Sequence, residues 1–306
     1  MLFPLLMQGA CATDLRQSQS EAALVLPFDS SNDQIELMAQ VNGRVVRVLL
    51  DTGVDPSVID LSTARRTNLP LSAAPIGEAA GVGDSKQPIY GSEIIDLNLG
   101  GRSFGNVDAA AMDMSGLQRG DRPKVEGILG YSFLRGRRLL IDYPGARVVI
   151  FSDESQAAAW ERRCSKQHKM VLKSFSGDTI PIIPDFRFGQ STAPVSVDTG
   201  SGQSIGLLQS ALQLPSLIGG IEPGPDTTVV GARGPTTVPT GKLRVPIGFG
   251  PFNLPEGQLV HLRRDQGSTQ TRVANLGNRT LKQMQISLML DYPQNKVSFL
   301  ANCRFR

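Results

Sequence analysis

The sequence predicts an all-β protein made of two copies of one structural unit. The tripeptide Asp-Thr-Gly occurs at residues 51–53 and again at 198–200, and each copy follows an apolar run with strand character. Further landmarks follow both copies in the same order. With 32 glycines and 20 prolines in 306 residues, the chain also has the composition of a turn-rich β protein.

Four pairs of landmarks share an offset of 147 to 149 positions. They are Asp51 with Asp198, Gly83 with Gly231, Gly130 with Gly277, and Asp142 with Asp291. Self-similarity at a fixed offset indicates a duplicated unit. The sequence therefore predicts a leader or signal segment at 1–24, a first lobe at 25–152, a helical connector at 153–175 and a second lobe at 176–306.

Each lobe is predicted to begin with a hairpin. In the first lobe, Asn42-Gly43 joins the apolar runs 35–41 and 45–50, and Asn-Gly between two such runs is a strong hairpin signal. In the second lobe, residues 180–188 lead into the turn candidate 189–191.

The remainder of each lobe repeats as well. A helix is predicted after each Asp-Thr-Gly, over residues 57–68 and 203–214. Each lobe closes on an Asp-Tyr-Pro segment, which is predicted to be a turn between two strands because Asp favours turns and Pro fixes φ. Asp142 and Asp291 are accordingly interpreted as turn residues.

The connector carries a predicted helix over residues 153–166, with acidic residues in its first turn and Trp160 packing between the lobes. Cys164 and Cys303 each lie just beyond the closing strands of a lobe. A disulfide between them would fit an oxidising compartment, and two free buried thiols are the alternative.

Composition narrows the function classes. A hydrophobic content of 40% and a charged content of 19% fit a globular protein, and a net charge of +3 without a basic, aromatic-rich cluster argues against nucleic-acid binding. No stretch approaches the ~18 apolar residues of a membrane-spanning helix. The two histidines, His168 and His261, leave no room for a His-rich zinc site, so no cofactor or metal is expected.

The N-terminal segment favours export. Residues 2–7 are apolar but short for a signal core, and no basic residue precedes them. Ala10-Cys11-Ala12 would suit signal-peptidase cleavage, and residues 8–11 are similar to a bacterial lipobox with Gln8 in place of Leu. We expect an exported protein, either periplasmic or anchored through a lipid on Cys11.

Catalysis by a pair of carboxylates is the mechanism that the sequence leaves open once the other motifs are excluded. Gly200-Ser201-Gly202 lacks the spacing of a nucleophile elbow and the Lys of a phosphate-binding loop. The segment 49–59 resembles the active-site segment of bacterial retropepsin-like aspartic proteases, and 197–202 resembles the pepsin-type version. Gly127-Ile128-Leu129-Gly130 is similar to the family's hydrophobic-hydrophobic-Gly element.

The resemblance implies a bilobal pepsin/retropepsin-like fold of two duplicated β-barrel-like lobes with short helices. It implies a monomeric endopeptidase that acts on polypeptides, with Asp51 and Asp198 as the catalytic pair sharing one proton. Thr52 and Thr199 would brace the two turns through their hydroxyls. The candidate substrate-binding residues are Thr52, Gly53, Asp55, Gly83, Tyr90, Thr199, Gly200, Ser201 and Gly231.

Two segments, 81–91 and 229–241, are predicted to be paired flap hairpins over the cleft, with Tyr90 as either a flap tyrosine or a core residue. The sequence departs from the family pattern at Val54, where Ala or Ser is usual, and at Asn275, where an apolar residue is usual. These departures leave open a non-catalytic binding protein on the same fold. A β-sandwich adhesion module with accidental Asp-Thr-Gly turns is a third interpretation.

Overall fold

The computed structural model describes residues 22–29, 31, 33–79, 82–117, 121–172, 180–263 and 272–304. The proposed lipid anchor Cys11, most of the predicted leader, and Gly81 of the first predicted flap lie outside these residues. The described part of the chain consists mainly of strands with a few short helices, so the all-β prediction is confirmed. No helix within it is long and apolar enough to span a membrane.

The first half of the chain is mostly β-structure. Its strands are β1 (Leu24–Pro27), β2 (Glu36–Val41), β3 (Arg44–Leu50), β4 (Ser57–Asp60), β5 (Gly77–Glu78), β6 (Pro88–Leu99), β7 (Arg102–Met112), β8 (Gly127–Leu129), β9 (Arg138–Asp142) and β10 (Arg147–Phe151). The helices of that half are α1 (Leu61–Arg66), α2 (Tyr131–Leu134) and α3 (Glu154–Glu161), with a 3-10 helix at Ser115–Leu117.

The second half contains more and shorter strands. They are β11 (Cys164–Val171), β12 (Ile182–Phe188), β13 (Ser191–Val197), β14 (Ile205–Leu207), β15 (Ile221–Pro223), β16 (Thr227–Gly231), β17 (Gly234–Val238), β18 (Thr240–Leu243), β19 (Ile247–Phe249), β20 (Phe252–Leu254), β21 (Leu259–Leu262), β22 (Ala274–Leu276), β23 (Ser287–Asp291) and β24 (Lys296–Cys303). Its helices are α4 (Asn278–Gln283) and two 3-10 helices, Gln209–Gln213 and Pro215–Leu217.

The first lobe is a closed barrel. Its strands pair in the order β2-β3-β8-β4-β7-β6, and a further pairing between β2 and β6 closes the ring. Alternate side chains of β2 are buried, as expected for a strand with one face on a core. Asn42 and Gly43 have positive φ angles of 46° and 74°, which is the geometry that the predicted tight turn requires.

The second lobe is a nine-stranded sheet with the order β15-β18-β21-β14-β22-β13-β12-β19-β20. The predicted hairpin at its start is confirmed by the antiparallel pairing of β12 with β13. The two-stranded hairpin of β16 and β17 stands apart from this sheet. Apolar side chains of both lobes form one continuous core.

The two lobes share a six-stranded sheet that the sequence did not predict. Its order is β1-β10-β9-β23-β24-β11, so the closing hairpins of the two halves meet where β9 pairs antiparallel with β23. Helix α3 packs on this sheet, and its Trp160 contacts the ring of Phe151 at a centroid distance of 5.8 Å. Trp160 therefore packs against a cluster to which both halves contribute, including Leu140 and Met289.

The Asp-Tyr-Pro turns are present, but their Asp residues end strands and are buried. Asp142 is the last residue of β9, where its carboxylate accepts hydrogen bonds from Arg147 Nε and Ser287 Oγ, both at 2.8 Å. Asp291 is the last residue of β23 and pairs with Arg138 Nε at 3.1 Å. Each Asp therefore precedes the turn and also binds a side chain of a neighbouring strand.

The three predicted helices differ from the structure in their bounds or in their type. Residues Ser57–Asp60 are strand β4, and α1 begins only at Leu61, where the Asp60 carboxylate caps Thr63 N at 3.1 Å. The second predicted helix is strand β14 followed by a 3-10 helix. Both segments pair with a threaded strand, and this pairing overrides local helix propensity.

The connector helix is also shorter than predicted. Helix α3 begins after Asp153, whose carboxylate accepts from Gln156 N at 3.0 Å, and it ends at Glu161 instead of continuing to residue 166. The chain then enters β11, the edge strand of the shared sheet, because β11 pairs along its length with β24.

Cys164 and Cys303 form a disulfide, so the predicted pairing is confirmed. They lie opposite each other in the register of β11 and β24, and the bond joins residues separated by 139 positions. It ties the edge strand that leaves the first lobe to the C-terminal strand of the second.

Replacing both cysteines by serine should lower the free energy of unfolding by about 2–4 kcal/mol, because the bond restricts the unfolded chain. Chemical denaturation with and without a thiol reductant measures the change. Reductant should destabilise the wild-type protein by a similar amount and leave the double variant unaffected. Equal stability of wild type and double variant would contradict the prediction.

Candidate active site

Each Asp-Thr-Gly turn is fixed by a strand that threads past it. In the first lobe, β8 lies between β3 and β4, parallel to the former and antiparallel to the latter. The Asp51 amide donates to Leu129 O at 3.0 Å, at the end of β8. Pairing with β8 therefore fixes the end of β3, and with it the position of the Asp51 carboxylate.

The second lobe repeats this arrangement. Strand β22 is parallel to β13 and antiparallel to β14, and the Asp198 amide donates to Leu276 O at 2.9 Å. These contacts explain why Gly127–Gly130 and Ala274–Gly277 repeat at the same offset as the Asp residues. The polar side chain of Asn275 is tolerated within β22 because its amide has hydrogen-bond partners.

The two turns are locked together by reciprocal threonine hydrogen bonds. The Thr52 amide donates to Thr199 Oγ1 at 2.9 Å, and the Thr199 amide donates to Thr52 Oγ1 at 3.2 Å. The Thr52 hydroxyl donates to Val197 O at 2.8 Å, and the Thr199 hydroxyl donates to Leu50 O at 3.0 Å. Both side chains are buried, with exposures of 3% and 1%. The bracing that the family resemblance implies is therefore present.

The carboxylates face each other across the two glycines. The Gly53 amide donates to Asp51 Oδ1 at 2.6 Å, and the Ser201 amide donates to Asp198 Oδ1 at 3.1 Å. A Cβ added at Gly53 would lie 3.2 Å from an oxygen of each carboxylate, and one at Gly200 would lie 2.1 Å from Asp51 Oδ2. A side chain at position 200 would therefore occupy the space of the Asp51 carboxylate, and one at position 53 would press on both carboxylates.

The electrostatics of the pair follow from this proximity. Burial and the negative charge of Asp198 raise the pKa of the Asp51 carboxyl from 3.8 to about 7, against the backbone amides of Gly53 and Gly200, which lower it. Two carboxylates at such close range repel each other, so the site disfavours a second negative charge.

Residues 37–133 match a family model described as aspartyl protease. Over this range the chain is similar to aspartyl proteases. The matched range runs from β2 to α2 and contains both the Asp51-Thr52-Gly53 turn and the threaded strand β8. No curated protein matches the chain.

The Asp51 and Asp198 carboxylates form the floor of a cavity of about 260 Å³ between the two lobes. Its lining includes Gly53, Gly200, Ser201 and Gly231 of the residues that the sequence singled out. The roof consists of Val82 from the first flap and residues 229–232 from the second. Within the described residues, no group of His, Cys, Asp and Glu side chains could hold a metal ion.

The two flaps differ in construction and meet at their tips. The second is the hairpin of β16 and β17, whereas the first consists of the short pair β5–β6 and an irregular loop. The Arg233 amide donates to Val82 O at 2.9 Å, and the Ser85 amide donates to Arg233 O at 3.0 Å. Arg233 Nε also donates to Ser85 O at 2.9 Å. The predicted hairpin is therefore confirmed for the second flap, whereas the first flap is mostly an irregular loop.

Five predicted substrate-binding residues do not line the cavity. Gly83 is buried in the flap tip beside Arg233, where it supports the contact between the flaps. Tyr90 lies on β6, partly buried against the main core, which agrees with its packing interpretation. Asp55 is exposed in the loop after the first turn. Thr52 and Thr199 lie beneath the cavity floor.

Sequence reasoning missed several residues near the carboxylates. Arg263 and Arg272 line the cavity on the side of the second lobe. Behind the floor, Tyr143 Oη donates to Asn278 Oδ1 at 2.6 Å, and Asn278 Nδ2 donates to Thr199 O at 2.7 Å. A comparison of the two halves position by position would have found Arg272, which stands where the first half has Val125.

Thr52→Val should destabilise the protein by on the order of 1–3 kcal/mol, because it leaves Val197 O and the Thr199 amide without partners in a buried site. Thr192→Val, at an exposed position of β13, is the matched control and should be close to neutral. Urea denaturation compares the two, and equal effects would refute the bracing role.

The raised pKa of Asp51 predicts a pH dependence of stability. A carboxyl with a raised folded-state pKa stabilises the fold while protonated, and this contribution is lost as pH rises from about 4 to about 7. The free energy of unfolding of the wild type should therefore fall over this range relative to that of Asp51→Asn. A constant difference between the two proteins from pH 4 to 7 would contradict the assigned pKa.

Gly83→Val should separate the flap tips. Gly83 has a φ of 122°, and a Cβ there would lie 2.2 Å from the Arg233 carbonyl carbon. Amide hydrogen exchange at Ser85 and Arg233 should become on the order of tenfold faster, since ~1.4 kcal/mol lost from the closed state gives that factor. Gly101→Val, at a φ of 85° with open space around it, controls for backbone strain. Unchanged exchange would show that the tips are not coupled.

Proposed function

We propose that the protein is an aspartic endopeptidase that hydrolyses peptide bonds with a water activated between Asp51 and Asp198. The observation that supports this best is the facing carboxyl pair, held by the reciprocal threonine bonds at the floor of a cavity. The aspartyl protease match of the first lobe supports the same reaction class.

The geometry suits general acid–base catalysis by the pair. With one proton shared, the ionised carboxylate takes a proton from the attacking water, and the protonated one donates a hydrogen bond to the carbonyl oxygen of the scissile bond. The raised pKa of Asp51 keeps this singly protonated state populated up to about pH 7. Activity should accordingly decline above that pH.

The flaps suit a polypeptide substrate. An extended peptide would lie between the carboxylates below and the flaps above and would pair with a flap as an added strand. The flap tips are hydrogen-bonded to each other across the cavity, so they must part to admit a chain.

The alternative is a peptide- or protein-binding module on the same fold without catalysis. Asn275 favours it, because its Nδ2 lies 3.5 Å from Asp198 Oδ2, at a place where the first lobe has the apolar Ile128. Such a module would bind polypeptides with the same cavity and leave them intact.

A single assay separates the two functions. Cleavage of an unfolded protein is measured from pH 3 to 7, with and without a statine-type inhibitor. Asp51→Asn and Asp198→Asn should each abolish turnover while retaining the fold, because each removes half of the shared-proton pair. Near wild-type activity in either variant would exclude the pair as catalyst, and peptide binding without cleavage by the wild type would favour the binding module.

We further propose that the protein acts outside the reducing cytoplasm. The Cys164–Cys303 disulfide supports this, since such bonds persist in oxidising compartments. Mass spectrometry of the mature protein from its native host tests both the signal cleavage and a lipid on Cys11.

A further inference from the structure

The two carboxylates have different neighbours although their turns are equivalent. In the second lobe, Asn275 of the threaded strand lies opposite Ser196, and in the first lobe Ile128 lies opposite Leu49 in the same register. Asn275 Nδ2 lies 3.5 Å from Asp198 Oδ2. The equivalent position in the first lobe carries an apolar side chain, so the threaded strands bring an amide group to one turn of the pair and a hydrocarbon group to the other.

The orientation of the Asn275 amide is fixed by the contacts of its oxygen. Asn275 Oδ1 accepts hydrogen bonds from Ser196 Oγ at 2.6 Å and from Arg272 Nε at 3.0 Å. An arginine Nε only donates, so the oxygen of the amide has to face it and the NH₂ group has to face the opposite way. The side chain is 7% exposed, and its NH₂ group is directed at Asp198.

This contact gives the second oxygen of Asp198 a partner from its own lobe. Asp198 Oδ1 accepts from the Ser201 amide at 3.1 Å, and Oδ2 faces the Asn275 amide. A hydrogen-bond donor beside a carboxylate favours the charged form of that carboxylate. The two contacts also restrain rotation of the carboxyl group, because each acts on a different oxygen.

Other charged groups act on the pair as well. The described charged side chains that line the cavity together with Asp198 are Asp51, Arg263 and Arg272. Beneath the floor, burial and the charge of Asp198 raise the pKa of the Tyr143 hydroxyl. These groups are the same in wild type and in an Asn275 variant. The contribution of Asn275 is therefore a difference between two proteins, and it does not depend on the net charge of the cavity.

We propose that Asn275 is a positioning residue that orients the Asp198 carboxylate and favours its charged form over that of Asp51. Given the proposed function, Asp198 then accepts the proton of the attacking water more readily than Asp51 does. Asp51 correspondingly holds the proton that polarises the scissile carbonyl for a larger share of the time.

Titration of each carboxyl group alone tests the difference. Asp51→Asn leaves Asp198 as the single carboxyl of the pair, and Asp198→Asn leaves Asp51. Asn275→Leu is added to each, and the titration midpoint of the remaining carboxyl is measured by ¹³C NMR with aspartate labelled at Cγ. In the Asp51→Asn background the midpoint should rise by about half a pH unit, as expected for the loss of one long hydrogen bond to a charged group.

The Asp198→Asn background is the matched control. There the same Asn275→Leu change should leave the midpoint of the Asp51 carboxyl unaltered, because the amide faces the other turn. An equal shift in both backgrounds would show a general disturbance of the site, and no shift in either would show that the amide has no effect. Both results would overturn the proposal.

The pH profile of the two-carboxyl enzyme gives a second readout. In Asn275→Leu, the acid limb of kcat/KM for a peptide substrate should move to higher pH by about half a unit. Gln213→Leu, which also replaces an amide by an apolar group but at an exposed site of the same lobe, should keep the wild-type profile. A lower kcat/KM with an unmoved acid limb would reduce Asn275 to a structural residue.

An isosteric variant covers the case in which Asn275→Leu does not fold, as judged by urea denaturation. Asn275→Asp retains the oxygen that faces Ser196 and Arg272 and replaces the NH₂ group by a second oxygen. Like charges repel, so the midpoint of Asp198 in the Asp51→Asn background should rise further than with leucine. An unchanged or lowered midpoint would contradict the proposal.

The titrations need no turnover and so separate this inference from the proposed catalysis. If the wild type cleaves nothing, a shift confined to Asp198 still supports the effect of Asn275 on the pair, although the endopeptidase proposal fails. An active wild type without that shift would refute the role of Asn275 and leave the endopeptidase proposal intact.

Discussion

The structure depends on holding two mutually repulsive carboxyl groups at one point. The repulsion is overcome by a short set of bonds directly beneath them, in which Thr52 and Thr199 each bind the backbone of the opposite turn. Because each threonine needs the other half of the chain to satisfy its hydroxyl, neither turn is complete alone. The raised pKa of Asp51 is the electrostatic cost of this arrangement, and a shared proton relieves it.

Two larger features keep this bracing in register. The threaded strands β8 and β22 fix each turn within its lobe, and the shared six-stranded sheet fixes the lobes relative to each other. Tyr143, which follows β9 in the shared sheet, supports the second turn. Its hydroxyl donates to Asn278, whose side-chain amide donates to the Thr199 carbonyl. A support for the second turn thus comes from the first half, which is why the two halves act as one unit.

Much of the duplicated fold could be predicted from the sequence because the repeated residues have specific structural roles. Asn42-Gly43, the two Asp-Thr-Gly turns and the cysteine pair are such signals. Pairing between distant strands has no comparable local signal. The sheet shared by the lobes therefore has no signature in the sequence, and the residues after Asp51 have the local pattern of a helix although they form strand β4. Arg263 was missed because it becomes part of the cavity only through the fold.

The register of the shared sheet has a consequence for each half alone. Its central pairing is Met289 with Leu140, and Asp291 lies opposite Arg138. Met289 and Asp291 are the repeat counterparts of Leu140 and Asp142, at an offset of 149. Strand β9 could therefore pair with a second β9 in the same register, which would place Arg138 opposite Asp142 twice. A fragment of the first half would be self-complementary at this edge, and it would meet its own copy where the intact chain meets β23.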